Sequence, residues 1–272
     1  MGTGNDPYAL LSTGHYRDAL AALGQISSRR SLFTDEQILK TELLSLTGAV
    51  ESAIPIADKL LSQRGLAVPQ RCRLRDVLGI SHYRKGQVIK GAEHYRRGIE
   101  LAEGEGELGS ECRLRVHLLR NQNHWIGPHQ AFLQFGTLRR KIHRVADPSL
   151  ALSFQVALTE MAAKLGLRWR ARKHLSVAKA LLPTVSDRAI HADVKLAEIA
   201  LSAWESDVAA ALQHAFDLVP LAKETGSESA LFGASTNLGH LLHLQGRTDE
   251  ALEWLQQGLR ERSFGGGPEI AL

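Results

Sequence analysis

At 272 residues the chain is long enough for one large domain or two ordinary ones. Hydrophobic residues at 44% exclude a disordered polymer, and two cysteines exclude a disulfide framework. The uncharged run from Ser229 to Gly246 is too rich in Ser, Thr, Asn, Gln, His and Gly to span a membrane. The N-terminus lacks the basic and apolar segments of a signal peptide, so a cytoplasmic protein with reduced thiols at Cys72 and Cys112 is expected. The net charge of +4 hides an uneven distribution. Residues 67–182 carry 21 basic and 9 acidic side chains, whereas residues 183–272 carry 6 and 13. Such asymmetry points to an interaction surface without naming its partner.

In chain order, Pro7 to Leu11 reads as the stub of a first helix, and a column of small residues then begins at Ala19. It continues through Ala53, Gly91, Ala131, Ala171, Ala211 and Ala251, with a spacing of 40 over most of its length. Five residues before each member stands Gly14, Gly48, Gly86, Ile126, Gly166, Ser206 or Gly246. Four residues after it stands Leu23, Ala57, Tyr95, Phe135, Leu175, Ala215 or Leu255. Glycine is 24 of 272 residues, so five glycines among seven positions exceed the fewer than one expected from composition. A fixed period of this size is the signature of stacked helical repeats.

Each period divides into two helices. Leu74, Val77, Leu78 and Ser81 recur at helical spacing, and Gly86 ends that helix in a left-handed conformation. A second helix then carries Ile89, Ala92, Tyr95, Ile99 and Leu101. The last period predicts helices from about Leu231 to Leu244 and through an apolar stripe of Ala251, Leu252, Leu255 and Leu259. Period-2 strand alternation is absent, so an all-α chain is expected.

The segments Leu238-Gly239-x-x-Leu242 with Ala251-x-x-x-Leu255, and Leu78-Gly79-x-x-His82 with Gly91-x-x-x-Tyr95, resemble the tetratricopeptide repeat (TPR). Leu158, Ala171, Leu175 and Pro183 fit a third copy, and Ala131-x-x-x-Phe135 a fourth. The resemblance implies a right-handed superhelical solenoid of about six or seven antiparallel helix pairs over residues 1–263. Residues 264–272 read as a loop or linker tail leading toward a further repeat or domain. The motif's Trp is missing, with Ser235 and Arg75 at two of its places, and Glu198-Ile199 stands where Leu-Gly is usual. The long period is similar to that of sensor regions in bacterial transcription regulators.

No P-loop, dinucleotide-binding glycine pattern, Gly-x-Ser-x-Gly or His-Glu-x-x-His motif is present, so no enzyme and no cofactor are expected. His240 and His243 share a helix but have no acidic neighbour one turn away, so they read as packing or groove residues and not as metal ligands. In TPR proteins the first helix of each pair lines the concave surface. The resemblance therefore places Arg73, Tyr83, Arg84, Arg113, Arg120, Asn123, His124 and Lys164 on that wall as partner-binding residues. Arginine forks suit carboxylate or phosphate. The leading expectation is an interaction module for an acidic peptide or a partner protein, within a larger signalling or regulatory protein. Alternatives are a ligand- or partner-sensing domain of a bacterial transcription regulator, nucleic-acid binding through the basic middle repeats, and self-association of basic middle with acidic end. A solvated basic face is the plain alternative to all of them. Arg139, Arg140, Lys141 and Arg144, with Arg96, Arg97, Arg172 and Lys173, fall on second helices and are expected on the convex side.

Overall fold

The computed structural model describes residues 6–261, apart from the side chains at 122–126, 128, 137 and 261. Fourteen α-helices form seven antiparallel pairs over that span. They are α1 (Pro7–Ser12) with α2 (Tyr16–Arg29), α3 (Thr34–Leu46) with α4 (Val50–Leu61), α5 (Val68–Arg84) with α6 (Val88–Gly104), and α7 (Leu108–Ile126) with α8 (Pro128–Ile142). They continue as α9 (Pro148–Lys164) with α10 (Arg168–Leu181), α11 (Arg188–Trp204) with α12 (Val208–Thr225), and α13 (Glu228–Leu244) with α14 (Thr248–Glu261). A short 3₁₀ turn, Leu182–Thr184, follows α10 at Pro183. No strand occurs among the described residues.

Local chemistry sets the helix ends. The N–H groups of Tyr8, Leu150, Ala189 and Ala210 donate to the carboxylates of Asp6, Asp147, Asp187 and Asp207, at 2.9–3.1 Å. These acids satisfy amide donors that a helix start leaves without intrahelical partners. The turn inside each pair needs one left-handed residue. Gly14, Gly48, Gly86, Gly166 and Gly246 supply it, and Ser206 adopts it at φ 63°. In the fourth pair Ile126 is the last residue of α7, and Gly127 at φ 81° takes the turn one residue later than the column predicts.

The small column lies where the helices of a pair press together, and Ala19, Ala53, Ala131, Ala171 and Ala211 are completely buried. Gly91 shows why small size matters. A Cβ there would sit 2.6 Å from the Tyr83 ring and 2.8 Å from the Gly79 carbonyl oxygen, so even alanine is excluded. Gly79 in turn lies under the Tyr95 ring, where a Cβ would come within 2.6 Å. Burying a ring the size of Tyr95 supplies about 2–3 kcal/mol of hydrophobic stabilisation.

Odd-numbered helices form an inner layer, in which α3 touches α5, α5 touches α7, and so on to α13. Even-numbered helices form the outer layer and pack chiefly against the inner helices on either side. Two expectations about core positions fail at the edges of this scheme. Ile89 is 83% exposed because it points away from the face of α6 on which Val88, Ala92, Tyr95 and Ile99 pack. Leu252, Leu255 and Leu259 are exposed as well. They occupy the face that on α12 is formed by Leu212, Ala215 and Val219 and is covered by α13. Leu255 keeps a contact with Gly239 of α13, but no described helix follows α14 to cover the rest of that face.

The solenoid closes on itself. The backbone N–H of Arg188 donates to the Thr13 carbonyl at 3.1 Å, and the Ser186 hydroxyl donates to the Ser12 carbonyl at 3.1 Å. Ala189 enters the apolar cluster of Tyr16, Ala19, Leu23, Leu39 and Leu43. A Cβ on Gly14 would strike Asp187 Oδ1 at 2.5 Å, and one on Gly226 would strike the Arg17 side chain at 2.5 Å. The first two pairs thus form a seam with the start of α11 and the turn between α12 and α13.

Candidate functional site

The inner layer carries the arginines singled out in the sequence, and the structure gives each described one a carboxylate from another helix. On α5, Arg73 sets its fork on Glu42 of α3, with Nε–Oε1 and Nη2–Oε2 both at 2.6 Å. The Glu42 hydrogen bonds raise the Arg73 pKa. On α7, Arg120 reaches Asp193 of α11 at 3.0 Å and Glu160 of α9 at 3.3 Å. Burial works against the Arg120 charge, but Asp193 and Glu160 outweigh it and hold the guanidinium more firmly protonated than usual. Arg84 crosses the seam to Glu228 of α13 at 2.9 Å and also donates to the Ser45 carbonyl. Arg113 is half exposed and lies 3.7 Å from Asp147.

The remaining expected wall residues divide. Tyr83 is buried, not presented on the inner surface; its ring faces Gly91 and lies 6.0 Å from the Tyr95 ring. Lys164 is half-buried at the end of α9. The side chains of Asn123 and His124 lie outside the described residues, as does the 264–272 tail. His240 and His243 are exposed on α13, and no group of three His, Cys, Asp or Glu side chains among the described residues is placed to hold a metal. Both cysteines are free and buried, and burial pushes the Cys112 thiol up to about 11.

Sequence reasoning gave the acids of this wall no role as counter-charges. Glu42 and Glu160 stand at the same repeat offset as Arg120, and Asp193 stands at the offset of Arg73 and Arg113. Arginine and carboxylate thus occupy equivalent positions in different repeats, which is the signal that was available. His117 Nδ1 adds a contact of 2.7 Å to Asp76 in the same layer. Glu198 explains the irregular repeat near Ala192. It is buried and meets Lys179 at 2.7 Å and Lys195 at 2.9 Å. Burial raises its pKa, but the two lysines overcome that and hold it below the usual carboxylate range.

The seam has its own electrostatics. Tyr16 faces Asp187 at 3.5 Å, and His15 faces Glu224 at 3.7 Å. Burial raises the Asp187 carboxyl to about 6, helped by the nearby charge of Asp193 and opposed by the Ala189 N–H.

This geometry is a TPR-like helical-repeat solenoid, and solved structures of that kind match it. The Rap conjugation gene regulator of plasmid pLS20, solved in complex with the Phr* peptide, superposes with a TM-score of 0.74 at 12% identity, over 94% of this chain and 71% of that one. Aspartyl phosphate phosphatase F from Bacillus subtilis gives 0.68 at 12% identity, over 98% and 72%. The structure of the APC/C hetero-tetramer Cut9-Hcn1 gives 0.67 at 18% identity, and this chain spans only 45% of the matched chain. No family model matches the sequence. A comparison with curated proteins also finds no match. No helix among the described residues is long and apolar enough to cross a membrane.

Proposed function

We propose that the chain is an interaction module, not an enzyme, whose inner face receives an acidic peptide or an acidic segment of a partner protein. The observation that carries this reading is the pairing of the inner arginines. Arg73, Arg84 and Arg120 already hold carboxylates of the chain itself, so the wall has the chemistry that receives one, and Arg113 is left, among the described residues, with only a 3.7 Å contact to Asp147. Arg113 offers the least committed charge on that wall, at 48% exposure. The Phr* peptide bound to a protein of similar fold supports a peptide as occupant. That neighbour's description as a gene regulator favours a second reading, in which the module senses a ligand or partner within a bacterial transcription regulator.

The test is selection of binders from a random peptide display library, with wild type compared with Arg113→Glu. Enrichment of acidic peptides that bind the variant about tenfold more weakly supports the reading, because one charge-assisted contact is worth about 1.5 kcal/mol. Peptides without acidic residues, or equal binding by the variant, would overturn it. Arg120 is a poor probe here, since reversing it buries three like charges together and unfolds the wall.

A further inference from the structure

We infer that the outer face of α8 and α10 is a binding surface for single-stranded nucleic acid. The two helices contain no acidic residue. From residue 128 to 181 the chain has ten basic side chains and two acidic ones. Both acids are engaged by inner-layer arginines, Asp147 by Arg113 and Glu160 by Arg120. Carboxylates from elsewhere reach three of the outer cations. Lys141 takes Glu111 and Glu103, Arg172 takes Glu205, and Lys179 takes Glu198. Arg139, Arg140, Arg144, Arg168, Arg170 and Lys173 have no ion pair among the described residues, and all six are exposed.

These cations converge. Arg139 from α8 and Lys173 and Arg170 from α10 all act on His174, whose pKa is lowered by burial and then by the three positive charges. The Arg170 guanidinium lies 5.1 Å from the Trp169 ring centroid and 5.8 Å from that of Phe132 on α8. Trp169 itself is 63% exposed. An indole left largely in water, with a guanidinium against its ring, offers its exposed surface to an unpaired base, which stacks on such a ring. Burial in a duplex denies bases that contact, which favours a single strand. The α10 helix is about 20 Å long, enough for a backbone run of several phosphates. An acidic peptide would satisfy the charges but leave the indole without its natural partner. This surface lies on the opposite layer from the inner arginines, so it stands whether or not the inner face binds a peptide.

The test is fluorescence anisotropy of the full chain with labelled twelve-residue oligo-dT and oligo-rU, with a matching duplex and oligoglutamate as rivals. Both single strands are expected to bind at roughly 10 μM in low salt, with a log–log salt slope of about −3, as for four or five neutralised phosphates. The triple variant Arg139→Glu/Arg140→Glu/Lys173→Glu should lose at least about 30-fold, and Trp169→Ala about tenfold. The variant Lys59→Glu/Lys90→Glu/Lys223→Glu reverses three exposed cations elsewhere and should lose little. Preference for one sugar would name the strand as DNA or RNA, and either supports the site. No binding to either strand overturns it. So does equal loss in the two triple variants, full binding by Trp169→Ala, or tighter binding of the duplex or of oligoglutamate. Trp169→Ala changes only an exposed side chain, so it remains informative should the triple variant fail to fold.

Discussion

The inner and outer layers use the same residue type in opposite ways. Inside, Arg73, Arg84 and Arg120 are tied to Glu42, Glu228, Glu160 and Asp193, so positive charge serves to bind one repeat to another. Outside, on α8 and α10, Arg139, Arg140, Arg168 and Lys173 face solvent with no carboxylate of their own helices nearby. A count of arginines in the sequence treats both sets alike. Only the position of the counter-charge separates cations that hold the fold together from cations available to a ligand.

That contrast is sharpest at Arg120. Replacing it by Met should destabilise the chain by about 3–5 kcal/mol, because Glu160 and Asp193 then lose their shared counter-charge. Urea unfolding checks this, and adding Glu160→Gln and Asp193→Asn should restore most of the loss. A recovery of nothing would mean that the arginine acts through packing alone. Next in size is Gly14→Ala, which combines a left-handed φ of 81° with a clash against Asp187 and the Ala189 backbone. We expect about 2–3 kcal/mol and faster amide exchange at Ala189 and Ile190. Gly166→Ala, with the same kind of φ and open space around it, should cost only about 1 kcal/mol.

A smaller effect distinguishes the seam from the rest by pH. The Asp187 carboxyl is raised to about 6, so the folded state holds its proton more tightly than the unfolded chain does. Its contribution is complete below the ordinary aspartate pKa and is lost as pH rises through about 6. Asp187→Asn keeps an N-cap side chain and should therefore raise stability above pH 6 by on the order of 1 kcal/mol while changing little at pH 4. Thermal melts at the two pH values decide it. Smallest of all, Lys173→Gln on the outer face should shift stability by less than about 0.5 kcal/mol. A larger loss would show that this cation, too, holds the fold.

Much of this architecture is legible in the sequence because it repeats. The Ala19-to-Ala251 column is buried in every pair, and the Gly14-to-Gly246 column supplies the left-handed turns. Ser206 keeps the register without glycine, and the Ile126 step moves to Gly127. What does not repeat stays hidden. The seam joins residues more than 170 positions apart, such as Ser12 with Ser186, and no periodicity foretells it. Tyr83 reads as a wall residue by offset, yet Gly91 beneath its ring draws it into the core. Leu252, Leu255 and Leu259 read as core by spacing, but burial depends on a neighbour that the spacing cannot supply. Trp169 went unnoticed because a single aromatic forms no pattern.

The seam changes how the molecule should come apart. In an open array each repeat couples only to its neighbours, so ends fray and a terminal repeat can be removed at small cost. Here the first pair also holds α11, and Arg84 also holds α13. The couplings from α1 to α13 form a loop instead of a line, which leaves α14, packed chiefly on α13, as the place to fray. Loss of α1 and α2 would then be felt at the start of α11 and at the turn between α12 and α13 as well as in the second pair, and α1 to α13 should melt as one unit.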